Sequence, residues 1–174
     1  PKNRYELTRA MEWAVAYDGP IAIKYARGQA YYGLKDYNEP VEYGKSEILR
    51  EGSEIALVAV GNMVEETEKL YNRFLQEGRQ VTFVNARFIK PLDKEMIDHL
   101  AETHKLIVTI EEGILHGGYG ALVEEYLEPK ASDVKVLPIA IEDTFVRHGS
   151  IEELRKMLKI DAESIYRRIR DIME

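Results

Sequence analysis

The segment Leu106–Val123 (LIVTIEEGILHGGYGALV) constrains the fold of this chain more than any other. Its first part, Leu106–Ile110, is largely apolar and rich in β-branched residues, which is typical of a strand buried on both faces. Two carboxylates, Glu111 and Glu112, come next, followed by a glycine-rich stretch and residues with helical spacing. Open α/β sheets meet ligands and partner surfaces at such connections, so the segment predicts the carboxyl edge of a parallel sheet.

The rest of the chain repeats this alternation of strand and helix. Ile55–Val60, Gln80–Val84 and Val134–Ile139 are further apolar runs, and segments with helical spacing separate them. The pattern predicts an α/β fold: an open, mainly parallel sheet with helices on both faces, similar to a Rossmann fold without its nucleotide. Ser46–Arg50 precedes a Glu-Gly turn and predicts a hairpin with the following strand, which adds an antiparallel edge strand.

Residues 1–45 differ from residues 46–174, and we expect a domain boundary between them. Residues 4–17 have helical spacing, and Ile21–Tyr25 has the composition of a short strand. Residues 29–46 are rich in tyrosine and predict an extended arm lying on a surface. The strand would find no sheet neighbour within this chain. We therefore expect residues 1–45 to be partly disordered, or to pair with another copy or another chain.

Polar residues that can cap helices stand before four of the helical segments. The predicted N-caps are Asn62, Asp93, Ser150 and Asp161. Two of them, Asn62 and Ser150, have a glutamate three residues later, which predicts capping boxes with Glu65 and Glu153.

Composition excludes several classes of function. The net charge of −7 and the lack of a Lys/Arg-rich block make nucleic-acid binding unfavourable. The chain has no cysteine, which excludes disulfides and thiolate chemistry and fits a reducing compartment. No apolar run approaches the length of a membrane span, and from the first residues we expect no signal peptide. We expect a cytoplasmic protein, and the absence of an initiator methionine indicates a processed chain or an excised piece.

Arg27 is the candidate binding residue. It follows the predicted strand Ile21–Tyr25 and stands beside Gly28, so a guanidinium at a strand end could meet an anion that comes close to the backbone. The alternative is a solvated arginine in a turn, because most single arginines on a surface are hydrated. Composition and spacing leave both readings open.

Other candidate chemistry is weaker. Adjacent residues at a strand end point to opposite sides, so Glu111 and Glu112 are not expected to form an acid/base dyad; one should be solvated and the other tied to loop amides or a helix start. The glycine spacing does not match GxGxxG. His99 and His104 lack the spacing of a zinc site. We predict no metal ligands, no cofactor-binding residues and no catalytic residues in this chain.

Four motifs carry a resemblance to a known family. The runs ARFIKPLD (Ala86–Asp93), VTIEEGILHGGYGA (Val108–Ala121) and DTFVRHGS (Asp143–Ser150) resemble the C-terminal domain of the 1-deoxy-D-xylulose-5-phosphate synthases. GPIAIKYARG (Gly19–Gly28) is similar to the end of their pyrimidine-binding domain. The resemblance implies a transketolase C-terminal-domain-like fold for residues 46–174.

The resemblance also implies a function. The family uses thiamine diphosphate and Mg²⁺ to condense pyruvate with glyceraldehyde 3-phosphate, giving 1-deoxy-D-xylulose 5-phosphate and CO₂ for isoprenoid, thiamine and pyridoxal synthesis. It works as a homodimer, and its cofactor-binding segments have no counterpart in this chain. Arg27 matches the family arginine that holds the acceptor's phosphate. Lys24 and Ala26 depart from the usual arginine and proline, and losing the proline removes a fixed φ.

The sequence leaves three hypotheses. The chain could be the C-terminal portion of such a synthase, inert alone. It could instead belong to another transketolase-like enzyme, either a transketolase or a 2-oxo-acid dehydrogenase of the β type, as a subunit completed by a separate partner. It could also be a non-catalytic interaction module of the same fold, with the tyrosine-rich arm as a docking face.

Overall fold

The computed structural model describes residues 1–173, which form one five-stranded sheet and six α-helices. The strands are β1 (Glu47–Arg50), β2 (Glu54–Ala59), β3 (Thr82–Asn85), β4 (His104–Ile114) and β5 (Lys135–Ile141). The helices are α1 (Arg4–Ala16), α2 (Met63–Gln76), α3 (Lys94–Thr103), α4 (Tyr119–Leu127), α5 (Ile151–Met157) and α6 (Ala162–Met173). Among these residues, no helix has both the length and the apolar character that crossing a membrane requires.

The strand order is β1-β3-β2-β4-β5, with β2 to β5 parallel and β1 antiparallel to β3 at one edge. This confirms the predicted mainly parallel sheet with an antiparallel edge strand. The predicted hairpin is wrong, because β1 pairs with β3 and places Ile48 opposite Val84. Both sides of β2 are occupied by β3 and β4, whose apolar residues bury it, so the outer side of β3 is the position left for β1.

Helices cover both faces of the sheet, as predicted. On β2, Ile55 and Leu57 belong to a buried cluster with α2 and α6, whereas Ala56 and Val58 belong to a second cluster with α3 and α4. Successive residues of a strand point to opposite faces, so an uninterrupted apolar strand serves both clusters at once. The two layers together hold the carboxyl ends of the parallel strands at one edge of the sheet.

Three of the four predicted N-caps form. Asp93 Oδ1 accepts from the backbone N–H of Met96 at 3.2 Å, and Asp161 Oδ1 accepts from Ser164 at 3.2 Å. Ser150 completes the predicted capping box of α5. The capping box predicted at Asn62 is wrong, because this side chain caps nothing in α2 and donates instead to the Glu112 carboxylate.

The N-terminal part of the chain contains one helix and a long irregular segment. Helix α1 matches the predicted helix over residues 4–17, but its apolar side chains Met11 and Val15 are exposed. Residues 17–46 form neither helix nor strand, so the strand predicted at Ile21–Tyr25 is wrong. A short apolar run needs a hydrogen-bonded neighbour to become a strand, and the five-stranded sheet leaves it none.

The other edge of the sheet is β5, which pairs only with β4 among the described strands. Pro138 stands in this strand opposite Thr109. Gly120 of α4 packs over the pair, since a Cβ placed there would lie 2.6 Å from Thr109 Oγ1 and 2.9 Å from Pro138 Cβ. The absence of a side chain at Gly120 therefore allows α4 to lie close to the sheet.

Candidate functional site

Arg27 lies in an exposed part of the irregular segment. Within residues 1–173 its guanidinium takes part in no hydrogen bond, ion pair or aromatic contact. Its neighbour Gly28 has a φ of +111°, and an added Cβ would meet no atom within 4 Å. The side chain is therefore free to bind an anion from outside the described residues, and the left-handed backbone beside it is one that favours glycine.

The segment that carries Arg27 is fixed on its C-terminal side by contacts with α1. The backbone N–H of Arg4 donates to the Tyr31 carbonyl at 3.1 Å, and Asn3 Nδ2 donates to the Gly33 carbonyl at 2.9 Å. These bonds hold the arm beside the start of α1. Residues 1–45 are thus bound to one another and to the domain at several points, rather than free of it.

An aromatic cluster closes the base of the same segment. Trp13 and Tyr17 of the α1 end stack with ring centroids 4.9 Å apart, and Tyr17 stacks on Tyr43 at 5.4 Å. Phe88, from the connection after β3, meets Tyr43 edge-on at 5.9 Å. The tyrosine-rich arm therefore lies on a surface formed by α1 and the β3–α3 connection, as its composition predicted.

A buried ionic cluster joins the N-terminal residues to the carboxyl end of β3. Lys2 Nζ lies 2.5 Å from Glu47 Oε2 and 3.3 Å from Glu6 Oε1. Arg87 Nε donates to Glu6 Oε1 at 2.7 Å, and another guanidinium nitrogen lies 3.0 Å from Glu47 Oε1. Asn85 Nδ2 donates to both carboxylates, at 2.7 and 3.1 Å. Two cations thus balance two anions in a place that excludes water.

The charges of this cluster set the protonation state of Glu6. Burial acts to raise the pKa of Glu6, but the Lys2 ammonium and backbone N–H, together with Arg87, act in the opposite direction, and the pKa is lowered. Buried carboxylates remain ionised when cations and donors satisfy them in this way. Glu6 is therefore an anion around neutral pH and a fixed partner for Arg87.

This cluster was not predicted from the sequence. Its members are far apart in the chain, and Arg87 lies 81 residues from Glu6. The available signal was Asn85 and Arg87 directly after a buried strand, at the edge where parallel sheets place functional groups.

A second ionic cluster lies where β4 ends. Arg155 Nε of α5 donates to Glu112 Oε1 at 2.9 Å, and a terminal guanidinium nitrogen lies 3.4 Å from Glu66 Oε1 of α2. The other oxygen of Glu66 accepts from the backbone N–H of Ala162 at 3.1 Å. Arg155 thus fixes α5 and the start of α6 to the sheet, and the sequence analysis missed it as well.

For the acidic pair, the contacts of Glu111 match the prediction and those of Glu112 differ from it. Glu111 is buried and accepts from the backbone N–H of Gly120 at 2.9 Å, so it is tied to the start of α4. Glu112 is partly exposed, but it is held by Asn62 and Arg155 rather than simply solvated. The two carboxylates serve different elements and form no dyad.

The residues of the glycine-rich connection do not fit a diphosphate. A Cβ at Gly118 would lie 2.6 Å from Glu111 Oε1, so a carboxylate fills the space that a phosphate would need. No group of three or more metal-ligating side chains comes together within the described part of the chain. His104 Nε2 lies 2.7 Å from Thr82 Oγ1, and burial chiefly lowers the pKa of His104. This half-buried histidine is part of the packing at the amino edge of the sheet.

A match to a known family, together with the fold, identifies the class of protein. The family described as the transketolase C-terminal domain matches residues 44–165 of the chain. The chain belongs to this family, and its α/β architecture is the one that the sequence predicted.

Curated relatives narrow the similarity to one kind of enzyme. The chain is 43% identical over 170 residues to the 1-deoxy-D-xylulose-5-phosphate synthase of Lachnoclostridium phytofermentans, covering 97% of this chain and 27% of that protein. It is 38% identical over 175 residues to the synthase of Heliobacterium modesticaldum, covering 100% of this chain and 27% of that protein. The resemblance drawn from the motifs is thus confirmed, and the chain spans about a quarter of the length of these relatives.

Solved structures support the fold. A split-gene transketolase, described as an inactive beta4 tetramer, has a TM-score of 0.89 at 22% identity, covering 98% of this chain and 55% of that one. The transketolase of Campylobacter jejuni has a TM-score of 0.53 at 14% identity, covering 74% of this chain and 18% of that one. These identities are low, so the two structures speak for the architecture alone.

Proposed function

We propose that this chain is the C-terminal portion of a thiamine-diphosphate-dependent synthase that condenses pyruvate with glyceraldehyde 3-phosphate to 1-deoxy-D-xylulose 5-phosphate and CO₂. The observation that carries the proposal is the similarity to such synthases over 97% of the chain. The complete enzyme would be a cytoplasmic homodimer. Thiamine diphosphate and Mg²⁺ would be held by parts of the enzyme outside this chain, which alone would be inactive.

Arg27 is the proposed contribution of this chain to substrate binding. A guanidinium stays charged and can meet two phosphate oxygens through parallel N–H donors. The free guanidinium of Arg27 and the open space beside Gly28 support its role in holding the phosphate of glyceraldehyde 3-phosphate. We assign no catalytic role to Glu111 or Glu112, because both carboxylates are engaged in holding helices.

Steady-state kinetics of the full-length enzyme test the proposal. The wild-type enzyme should form 1-deoxy-D-xylulose 5-phosphate. Arg27→Ala should raise the KM for glyceraldehyde 3-phosphate by about 10- to 100-fold, as expected for the loss of a charge-assisted bond to phosphate, with little change in the KM for pyruvate. The matched control is Arg167→Ala, which removes an exposed guanidinium of α6. No product from the wild-type enzyme would refute the function, and an unchanged KM in Arg27→Ala would remove Arg27 from the site.

Calorimetry tests the assignment of the cofactor to other parts of the enzyme. The 174-residue chain should show no binding of thiamine diphosphate in the presence of Mg²⁺. The full-length enzyme serves as the positive control. Tight binding to the 174-residue chain would contradict the proposed division of labour.

A second candidate is the small subunit of a split transketolase-like enzyme. The TM-score of 0.89 to the split-gene transketolase does not by itself favour this candidate, because 22% identity supports the shared architecture alone. The two candidates differ in their substrates. Ketol transfer between sugar phosphates, without consumption of pyruvate, would favour the split transketolase, whereas CO₂ release from pyruvate would favour the synthase.

A further inference from the structure

The two segments that flank the Arg27 loop in the chain, helix α1 and the arm, are both bound by one residue, Arg87. The chain leaves α1 at Ala16, passes Arg27 and returns along the arm to Glu39 and Pro40. Within this stretch the backbone is irregular and largely exposed around Arg27. The position of Arg27 therefore depends on what holds α1 and the arm together, in addition to the bonds from Asn3 and Arg4 to Gly33 and Tyr31.

Arg87 binds both of these segments. Its Nε donates to Glu6 Oε1 at 2.7 Å, in the first turn of α1 and ten residues before the helix ends at Ala16. Its two terminal nitrogens donate to the carbonyls of Pro40 at 2.9 Å and Glu39 at 3.1 Å in the arm. One planar guanidinium, with donors in a fixed fork, thus ties the start of α1 to the arm.

Arg87 itself is rigidly held. Its side chain is 6% exposed and lies 3.0 Å from Glu47 Oε1 at the start of β1. Its backbone follows β3 directly, where the N–H of Ala86 donates to the Ala59 carbonyl of β2 at 2.9 Å. Arg87 is therefore held by the sheet, and it connects α1 and the arm to the sheet. Fixing the segments that flank a flexible loop restricts the space that its middle can sample.

We propose that Arg87 is a positioning residue that holds the Arg27 loop where its guanidinium can meet the phosphate of the acceptor. The inference rests on the proposed function, since it assigns Arg27 to that phosphate. Arg87 would not touch the substrate. It would act by limiting the conformations of the loop before the acceptor arrives, which lowers the entropy lost on binding.

The test uses the full-length holoenzyme and glycerol 3-phosphate as an unreactive phosphate probe that competes with the acceptor. Inhibition constants are measured for the wild-type enzyme, Arg27→Ala, Arg87→Lys and the double variant. Lysine keeps the positive charge but cannot hold Glu6 and two carbonyls at once. Arg79→Lys is the matched control, because Arg79 pairs with Glu54 at the opposite edge of the sheet.

We expect Arg87→Lys to raise the inhibition constant about 10-fold while the KM for pyruvate stays within about twofold. The double variant should be no worse than Arg27→Ala, because one residue acts through the other. Glu6→Gln, which weakens the α1 side of the anchor together with the bonds of Glu6 to Lys2 and Asn85, should give a smaller rise. Should Arg87→Lys fail to fold, as judged by circular dichroism, Glu6→Gln and its double variant with Arg27→Ala provide the same comparison.

Two results would overturn the inference and leave the proposed function intact. In one, Arg27→Ala weakens binding of the probe but neither anchor variant does. In the other, the effects of Arg87→Lys and Arg27→Ala multiply in the double variant, so that Arg87 acts independently. If Arg27→Ala leaves the inhibition constant unchanged, the assignment of the phosphate to Arg27 fails first, and the positioning role fails with it.

Discussion

Glu111 and Gly120 are joined by a hydrogen bond of 2.9 Å that runs from the first turn of α4 back to the buried end of β4. The carboxylate occupies the place where a ligand would meet the helix in many α/β proteins. In this chain the strand end and the helix start hold each other. The glycine-rich connection is therefore a packing device, and we base the first prediction on it.

Gly120→Ala should destabilise the chain by about 1–3 kcal/mol, because the new Cβ would lie 2.6 Å from Thr109 Oγ1 and 2.9 Å from Pro138 Cβ. Urea unfolding measures the change. Gly149→Ala is the control, since its nearest contact is the Leu154 side chain at 3.2 Å, which can shift. Equal stability of Gly120→Ala and the wild type would mean that α4 does not depend on this close approach.

Arg155→Met should destabilise the chain by about 1–3 kcal/mol, because the partly exposed Glu112 loses its cation and the buried Glu66 keeps only Lys69 as a cationic partner among the described residues. Arg167→Met, which breaks a pair whose arginine side chain is 74% exposed, should change the free energy of unfolding by less than about 0.5 kcal/mol. Both are read from urea unfolding curves. Similar values for the two variants would argue against a structural role for Arg155.

Substitutions of Asn62 should affect stability in the opposite order to substitutions at an ordinary N-cap. At an ordinary N-cap, aspartate is about as good as asparagine and alanine is worse. Here the Asn62 amide donates to Glu112 instead of capping α2, so Asn62→Asp would place two carboxylates together. We expect Asn62→Ala to lose some stability and Asn62→Asp to lose about 1 kcal/mol more. The ordinary order in thermal unfolding would contradict this geometry.

Glu6 should make the chain sensitive to acid. Its pKa is lowered in the folded state, so the stability it provides is fully present above its unfolded pKa and is lost as pH falls through the folded value. Glu6→Gln should therefore be less stable than the wild type at neutral pH, and the gap should narrow on going from about pH 6 to about pH 3. Unfolding midpoints across this range measure the gap. A constant difference would mean that Glu6 is not held as an anion.

The architecture could be predicted from the sequence because it depends on short-range patterns. Apolar runs such as Ile55–Val60 are typical of strands in a parallel sheet that is covered on both faces. The antiparallel edge strand was also predicted, but its partner was not. Whether β1 pairs with β3 or with β2 depends on which sides of these strands the rest of the sheet leaves free. The local spacing of residues carries no such information.

The candidate site was harder to predict. Arg27 was chosen because a motif resembled a family, not because its surroundings could be deduced. Arg87 and Arg155 were missed, since their carboxylate partners Glu6 and Glu112 lie 81 and 43 residues away in the sequence. Asn62 was assigned to the wrong partner for the same reason: its local glutamate competed with a distant one. Long-range ion pairs require the fold to be known first.

Pro138 has a consequence for association. A strand at the edge of a sheet can pair with a strand of another molecule through its unpaired backbone N–H and C=O groups. Pro138 stands in the middle of β5 and has no N–H to offer. A sixth strand on the outer side of β5 could not form all of its backbone hydrogen bonds, so this edge resists sheet formation between molecules.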